Sequence, residues 1–328
     1  MKSPPDVGYV QLGILFTILA ASAYGWRRYF RGSLRLDSEA DEPHRDVPWD
    51  GAAVLRAALA YLLLKAVGDW WIVGRFLRSL PADVQAEVAA GNVRLVEHYP
   101  DFFVQALQGS ALVGLLTMIV VAAMLVASSR ASLGDLGLAL RRCGDDLRLA
   151  ATAFPIIVGP VLALNFALSA LVGESQHPIL LAYKAAPRAD LLWWSAVAAV
   201  GAAPLVEEFL FRAVLQGWLQ RTFDPQPPAE PPPPSIEQTP PARETAPSET
   251  APSANRRRSL PIVLSSALFA LAHVGHGPDP IPLFFFGLGL GYLYRRTHRI
   301  WPGVVVHLLL NALSLGLLFL AVERPAIE

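Results

Sequence analysis

The sequence predicts an all-α protein, a polytopic transmembrane helix bundle of about eight spans. Three observations support this prediction. The 328 residues are 53% hydrophobic and only 16% charged, their mean hydropathy is +0.40, and eight apolar runs approach the length that crosses about 30 Å of hydrocarbon. Such a composition is too apolar for an ordinary soluble domain. The apolar composition predicts membrane lipid as a partner, and the net charge of zero does not suggest nucleic acid.

The apolar runs occupy residues 8–26, 52–74, 102–128, 149–173, 190–216, 260–275, 282–295 and 301–321. The first run follows a leader without a basic region or a clear cleavage site, so we expect a retained helix. The sixth and seventh runs are short. The chain between them is broken by Gly275, Gly277, Pro278, Pro280 and Pro282. Breaks of this kind are tolerated at membrane depth where they line a cavity inside the protein.

Basic residues indicate the orientation of the spans. With both termini outside, the inside segments hold 17 lysines and arginines and the outside segments hold 6. This bias follows the positive-inside rule for eight spans. The sequence therefore predicts an integral protein of a bacterial-type inner (plasma) membrane, with both termini outside.

The chain divides into an N-terminal three-span region (1–129), a second helix bundle (130–321) and a tail (322–328). Residues 224–258 contain 11 of the 28 prolines and are predicted to form a disordered cytoplasmic loop, because they cannot bury enough apolar area to offset ordering. Residues 130–148 are predicted to form a short amphipathic helix at the interface. The alternative is an ordinary linker.

Ionisable side chains within spans are costly and by default mark function. In the second span, we expect Arg56 and Lys65 to extend toward the two membrane surfaces, and Asp69 to lie at the outer interface. The fifth span contains the stretch AAPLVEEFLFRAVLQ. In it, Glu208 and Arg212 are four residues apart, so they share a helix face and can form an ion pair.

Glu207 points about 100° away from its neighbour and would be left as an unpaired buried carboxylate. It therefore needs a partner on another helix. A carboxylate with a histidine can hold and deprotonate a water molecule, while histidine and asparagine can donate hydrogen bonds to a developing oxyanion. The sixth and eighth spans each supply a pair of residues four apart on one helix face: Phe269 with His273, and His307 with Asn311.

A metal site is the alternative for the same residues. Glu207, His273 and His307 form a set of two histidines and one carboxylate, which suits Zn²⁺ with an open position. No HExxH motif occurs in the chain, so the common zinc-protease helix is absent. Residue types alone leave water activation with and without a metal both open.

Three short motifs, each inside its own hydrophobic run, resemble those of the CPBP intramembrane endopeptidases. This family includes the CAAX prenyl proteases, bacteriocin-processing enzymes and Abi proteins. Its motifs EExxxR, FxxxH and HxxxN correspond here to EEFLFR (207–212), FALAH (269–273) and HLLLN (307–311). The resemblance covers roughly residues 130–321. One departure is Ala213, which stands where many members have glycine.

The resemblance implies a catalytic helix bundle with a conical intramembrane cavity that is open toward the membrane and the inner face. It implies that Glu207 and His273 activate the attacking water and that His307 and Asn311 stabilise the oxyanion. The implied supporting residues are Glu208, Arg212 and Phe269. The implied mechanism needs no cofactor, with Zn²⁺ as the alternative.

We therefore expect an intramembrane endopeptidase that hydrolyses a protein or peptide substrate at the membrane, either prenylated or a peptide precursor. Two alternatives belong to other functional classes. One is a catalytically silent membrane scaffold or self-immunity protein of the same fold. The other is an ion- or proton-coupled transporter, although no internal repeat is detectable.

Overall fold

A computed structural model of the chain describes residues 7–34, 46–90, 99–224 and 251–322. The described residues form ten helices and no strand, which confirms the predicted all-α class. The helices are α1 (Val7–Phe30), α2 (Gly51–Leu77), α3 (Ala82–Ala89), α4 (Pro100–Ser129), α5 (Cys143–Val172), α6 (Pro178–Ala185), α7 (Ala189–Phe223), α8 (Ala251–Leu271), α9 (Pro280–Thr297) and α10 (Trp301–Val322).

Six of the described helices are long and apolar enough to cross a membrane: α1, α2, α4, α5, α7 and α10. The predicted count of eight spans is not confirmed. The predicted sixth and seventh spans correspond to α8 and α9, which pack against each other. The apolar part of α8 is only Arg258–Leu271, because the first turns of the helix are rich in polar and arginine residues.

The predicted break between these two helices is present. Helix α8 ends at Leu271 and α9 begins at Pro280. Gly275 and Gly277 lie between them with φ angles of +105° and +72°. A side chain at either position would be strained, since L-residues rarely adopt positive φ. The glycines therefore allow the chain to reverse within a few residues.

The prediction of an interfacial helix over residues 130–148 is wrong for most of this range. Residues 131–142 form turns, and helix α5 begins at Cys143. Ser132 and Asp135 hydrogen-bond to each other's side chain and backbone at 2.7–3.2 Å. Such local side-chain bonds compete with a helix for the backbone amides. Gly137 then adopts a φ of +70°, which ends any helical path.

The predicted disordered loop lies mostly outside the described residues, at 225–250. Its last eight residues, 251–258, belong to helix α8.

Small residues bring the helices close together. Helix α1 packs on α5, and α2 packs on α4. A Cβ atom at Gly25 of α1 would lie 2.8 Å from Ile156 Cγ1 of α5. Close backbone approach of this kind is the usual basis of helix packing in a bilayer, where apolar side chains gain little by leaving lipid. Helix α10 packs against both α5 and α7, and thereby faces the glutamates of α7.

Lys65 does not extend toward a membrane surface as predicted. Its Nζ donates to Asp69 Oδ1 at 3.1 Å and to Asp69 Oδ2 at 2.9 Å. Both residues lie on the partly buried face of α2, whereas Val67 and Trp70 are exposed. Each charge therefore has its partner one turn away on the same helix.

Candidate active site

The two glutamates of the first motif lie at a change of helix geometry in α7. A short α-helical segment, Ala203–Glu208, separates two π-helical segments, Ala196–Ala202 and Phe209–Gln216. Insertions of π-helix are frequent at functional sites, because the wider turn changes the direction in which side chains project. The 3.6-residue periodicity of the sequence does not show this change.

His307 of α10 lies between the two glutamates. Its Nδ1 is 3.2 Å from Glu208 Oε1, and its Nε2 is 3.8 Å from Glu207 Oε2. Because a carboxylate only accepts, Nδ1 donates to Glu208. Glu208 is fully buried, whereas the Glu207 side chain is 26% exposed. Glu208 thus orients the imidazole, and Glu207 is the carboxylate that a substrate or water can reach.

The predicted Glu208–Arg212 pair is present. Arg212 Nε donates to Glu208 Oε2 at 3.1 Å, and its Nη1 donates to Ser265 Oγ of α8 at 3.0 Å. The guanidinium also lies 5.3 Å from the centre of the Phe269 ring, a favourable position for a cation over an aromatic face. Arg212 is fully buried, so these contacts replace the water that the charge has lost.

His273 lies beyond the end of α8, not on its predicted helical face, because the helix ends two residues earlier, at Leu271. Its Nδ1 is 2.8 Å from the carbonyl oxygen of Phe269. A carbonyl only accepts hydrogen bonds, so Nδ1 carries the proton and Nε2 has the lone pair. The backbone of α8 therefore selects the tautomer in which His273 Nε2 can accept a proton.

The Phe269 ring connects the two histidines. Its centre is 5.0 Å from that of His273 and 5.9 Å from that of His307. His273 has no direct hydrogen bond or ion pair with either glutamate in the described part of the chain. The structure thus brings Glu207, Glu208, Arg212 and His307 into contact. His273 contacts the Phe269 ring, which in turn contacts His307.

Asn311 contacts the backbone of the first π-helical segment. Its Nδ2 donates to Ala199 O at 2.7 Å. In π geometry this carbonyl would accept from the amide of residue 204, as Ala198 O accepts from Ala203. Residue 204 is proline, which has no N–H. Asn311 therefore satisfies a carbonyl that Pro204 leaves open, and it retains a second amide hydrogen.

Several residues that contact the site were not predicted from the sequence. Ser265 of α8 accepts from Arg212 and donates to Phe211 O at 2.8 Å. The centre of the Phe286 ring lies 5.2 Å from that of His307. Gly303 provides the space for Glu208 Oε2, which is 3.0 Å from where its Cβ would be. No short motif signals these residues, since each acts through contacts between helices.

The motif residues that the structure describes do not form a metal-type cluster, and a separate cavity lies away from them. Within the described ranges, no group of three or more His, Cys, Asp or Glu side chains has the arrangement of a metal site. A cavity of about 400 Å³ lies elsewhere and is lined by Asp135, Arg141, Tyr294, Arg299 and neighbouring residues.

Comparisons with curated proteins and with solved structures find no match. A comparison with family models does find one, for a type II CAAX prenyl endopeptidase Rce1-like family. The match spans residues 189–313, which hold all three motifs and the whole side-chain cluster. The predicted resemblance is confirmed over these residues, which are similar to the Rce1-like CAAX endopeptidase family.

Proposed function

We propose that the protein is an intramembrane endopeptidase that hydrolyses a peptide bond of a membrane-associated substrate with a water activated by Glu207 and His273. The observation that carries this proposal is the position of His307 between two glutamates of different exposure. Glu208 is committed to Arg212 and His307, whereas Glu207 remains open. The family match supports the protease class.

The proposed reaction assigns a proton acceptor and an oxyanion site. The carboxylate of Glu207 and the Nε2 lone pair of His273 hold a water molecule and accept its proton as its oxygen attacks the substrate carbonyl carbon. The C–N bond then breaks, and the same proton passes to the leaving amine.

His307 and Asn311 supply the hydrogen bonds to the negative oxygen of the intermediate. We assign the two donors to Nε2–H of His307 in its imidazolium form and to the second amide hydrogen of Asn311. Both side chains are fixed before substrate binds, His307 by Glu208 and Asn311 by Ala199 O. Donors that need no rearrangement stabilise the transition state most.

The substrate that we propose is a peptide attached to the membrane, either prenylated near the cleaved bond or a peptide precursor. A fluorescence-quenched peptide with a farnesylated cysteine, and the same peptide without the lipid, would be offered to the full-length protein in liposomes. The expected result is cleavage by the unmodified protein. We expect His273→Ala to lower kcat by roughly 100-fold or more, because a general base is lost.

Val274→Ala is the matched control, since Val274 is the exposed neighbour of His273 and takes no part in the cluster. It should retain the unmodified rate. Cleavage of neither peptide, or equal rates for the two variants, would contradict the proposed mechanism.

The metal-free form of the mechanism needs its own test. Cleavage would be measured after incubation with excess 1,10-phenanthroline and again after addition of Zn²⁺. We expect the rate to remain unchanged. Complete loss of activity that Zn²⁺ restores would replace the proposed mechanism with a zinc site at Glu207, His273 and His307.

A further inference from the structure

Three connecting segments meet at one end of the helix bundle, around the cavity of about 400 Å³. The segments are residues 46–49 before α2, 131–142 between α4 and α5, and 298–300 between α9 and α10. Arg221 of α7 donates to Val47 O at 3.2 Å, and Ile300 N donates to Gly137 O at 3.1 Å. These bonds hold the segments together around a space of the size that binds small molecules. We call this space the arginine cavity.

Arginines dominate the charged lining of the arginine cavity. Arg141, Arg142 and Arg299 line it together with one acidic residue, Asp135. Arg299 is paired with the buried Asp146, which accepts from its Nε at 2.9 Å and from its Nη2 at 2.8 Å. This pair is neutral, so two arginines and one aspartate remain. One negative group in the cavity would balance them, and the arginine fork is well suited to bind a phosphate.

The arginine cavity has hydrogen-bond donors for such a group. In the described part of the chain, Arg141 has no hydrogen bond or ion pair, so its five N–H donors can bind a ligand. Tyr294 lines the same cavity, and its phenol can donate one more bond. Asp135 Oδ2 accepts from the backbone N of Ser132 at 2.8 Å and from its Oγ at 2.7 Å. These bonds offset part of the negative charge that a phosphate would meet.

Two exposed leucines place the arginine cavity beside lipid. Leu133 lies between two residues that line the cavity, and so does Leu140. Their side chains are 65% and 61% exposed. At the end of a membrane-spanning bundle such leucines can enter the edge of the hydrocarbon, next to the layer that holds the lipid phosphates. The basic-residue bias predicts that this end lies at the inner surface, where basic pockets between helices bind anionic headgroups.

We propose that the arginine cavity binds the headgroup of an anionic phospholipid. Arg141 and Arg142 bind its phosphate, and Leu133 and Leu140 contact its acyl chains. A soluble phosphate ester offers the same phosphate without an acyl chain, so only a lipid uses both parts of the site. The bound lipid would join residues 131–142 to the end of α9. The proposal does not depend on the endopeptidase function.

Native mass spectrometry of the full-length protein in detergent tests this proposal. The Kd of the first bound lipid would be compared for phosphatidylglycerol and for phosphatidylcholine with the same acyl chains. We expect phosphatidylglycerol to bind roughly 10- to 30-fold more tightly, since each arginine near a lipid phosphate contributes about a factor of five. Arg141→Gln should lower this preference about fivefold. The double variant with Arg142→Gln should bring it close to one.

Two further variants distinguish the arginine cavity from general surface charge. Arg148→Gln removes an arginine that is 86% exposed near the start of α5 and does not line the cavity, so it should leave the preference unchanged. Ala139→Trp fills the cavity without changing its charge and should abolish the preference. An equal loss in Arg148→Gln and Arg141→Gln, or a preference that survives in folded Ala139→Trp, would overturn the proposal. The charge variants decide the proposal alone if Ala139→Trp does not fold.

Glycerol 3-phosphate distinguishes a lipid from a soluble ligand. It would be added in increasing amounts to the complex of unmodified protein with phosphatidylglycerol. We expect it to displace the lipid only at concentrations roughly 100-fold or more above the Kd of the lipid, because it lacks the apolar chains that contact the leucines. Displacement at concentrations close to that Kd would assign the cavity to a soluble phosphate ester and overturn the lipid site. Equal Kd values for the two lipids in the unmodified protein would reject an anion site altogether.

Discussion

Gly303 shows how closely the residues around Glu208 are packed. Its missing side chain leaves room for Glu208 Oε2, which would be 3.0 Å from a Cβ atom at this position. We expect Gly303→Ala to displace the carboxylate and loosen its hydrogen bond to His307. The predicted result is a fall in kcat of roughly tenfold, the size of effect expected when a polar contact of about 1.4 kcal/mol is lost.

The control for this variant is Gly316→Ala on the same helix, where a Cβ atom would meet nothing within 4 Å. Peptide cleavage and thermal unfolding would be measured for both variants in the same liposomes. If Gly303→Ala cleaves the peptide as fast as Gly316→Ala, the position of the Glu208 carboxylate does not affect kcat, which would contradict the prediction.

The sequence could identify the residues of the cluster but not all of their contacts. Glu208 and Arg212 were predictable as a pair because both lie on one helix with a fixed spacing. His307 was assigned to the oxyanion, yet its contacts to both glutamates depend on how α10 packs on α7. His273 was predicted on a helical face, and the helix ends before it. Contacts between helices are not encoded in local periodicity.

Proline residues at two places open a backbone carbonyl to a side chain from another helix. In α5, Pro160 cannot donate to Ile156 O, and Trp26 Nε1 of α1 donates to it at 3.1 Å. In α7, Pro204 cannot donate to Ala199 O, and Asn311 takes this role. The same device thus joins helices at a packing contact and within the candidate site.

Restoring the amide at residue 204 should release Asn311. In Pro204→Ala, the new N–H competes for Ala199 O, so the amide of Asn311 loses its fixed orientation. We expect kcat to fall by roughly 10- to 100-fold with little change in KM, since one oriented donor is worth about this much. Pro160→Ala, at the equivalent contact outside the cluster, is the control that should retain activity.

A double variant makes the test of Pro204 specific. If the proline acts through Asn311, Pro204→Ala combined with Asn311→Ala should be no slower than Asn311→Ala alone. Additive losses would show that the proline supports the fold and not this side chain.

At the element scale, the positions of most helices could be predicted from the sequence, whereas local departures from α-helix could not. Apolar length located the spanning helices, and glycine and proline located the break after α8. The π-helical segments of α7 were not visible, because the 3.6-residue pattern of apolar residues is continuous across them. The turns at residues 131–142 replaced a predicted helix, since Ser132 and Asp135 bond locally instead.

At the scale of the whole molecule, two connecting segments meet beside His273. Gln176 N donates to His276 O at 3.2 Å, and Ser175 Oγ donates to Asp279 Oδ2 at 2.6 Å. The rings of His177 and His276 are 4.9 Å apart. The segment between α5 and α6 therefore holds the segment that carries His273.

This contact should weaken in acid. Burial, with repulsion from His276 and His273, lowers the pKa of His177 to about 4, and burial also lowers the pKa of His276. A released histidine titrates near 6.5, so the released state binds more protons between pH 6.5 and about 4. The contact is thus stable above pH 6.5 and is lost as the pH falls toward 4. The raised pKa of Asp279 has the opposite effect, because it stabilises the contact as the pH falls.

Hydrogen exchange measures this dependence directly. The protection factor of the Gln176 amide should be lower at pH 5 than at pH 7. In His177→Asn, which keeps a side-chain acceptor at the start of α6 but cannot titrate, the difference should decrease. Equal protection at both pH values in the unmodified protein would show that the histidines do not control the contact.

Glu207 is the residue on which the proposed mechanism depends, because it is the open carboxylate beside His307. The most direct test is the single-turnover rate of peptide cleavage by Glu207→Gln in liposomes, with thermal unfolding measured in parallel. We predict a rate roughly 100- to 10,000-fold below that of the unmodified protein. The unfolding temperature should be unchanged, since Glu207 is partly exposed and pairs with no arginine among the described residues. A rate within about threefold of the unmodified protein would contradict the central claim that Glu207 activates the attacking water.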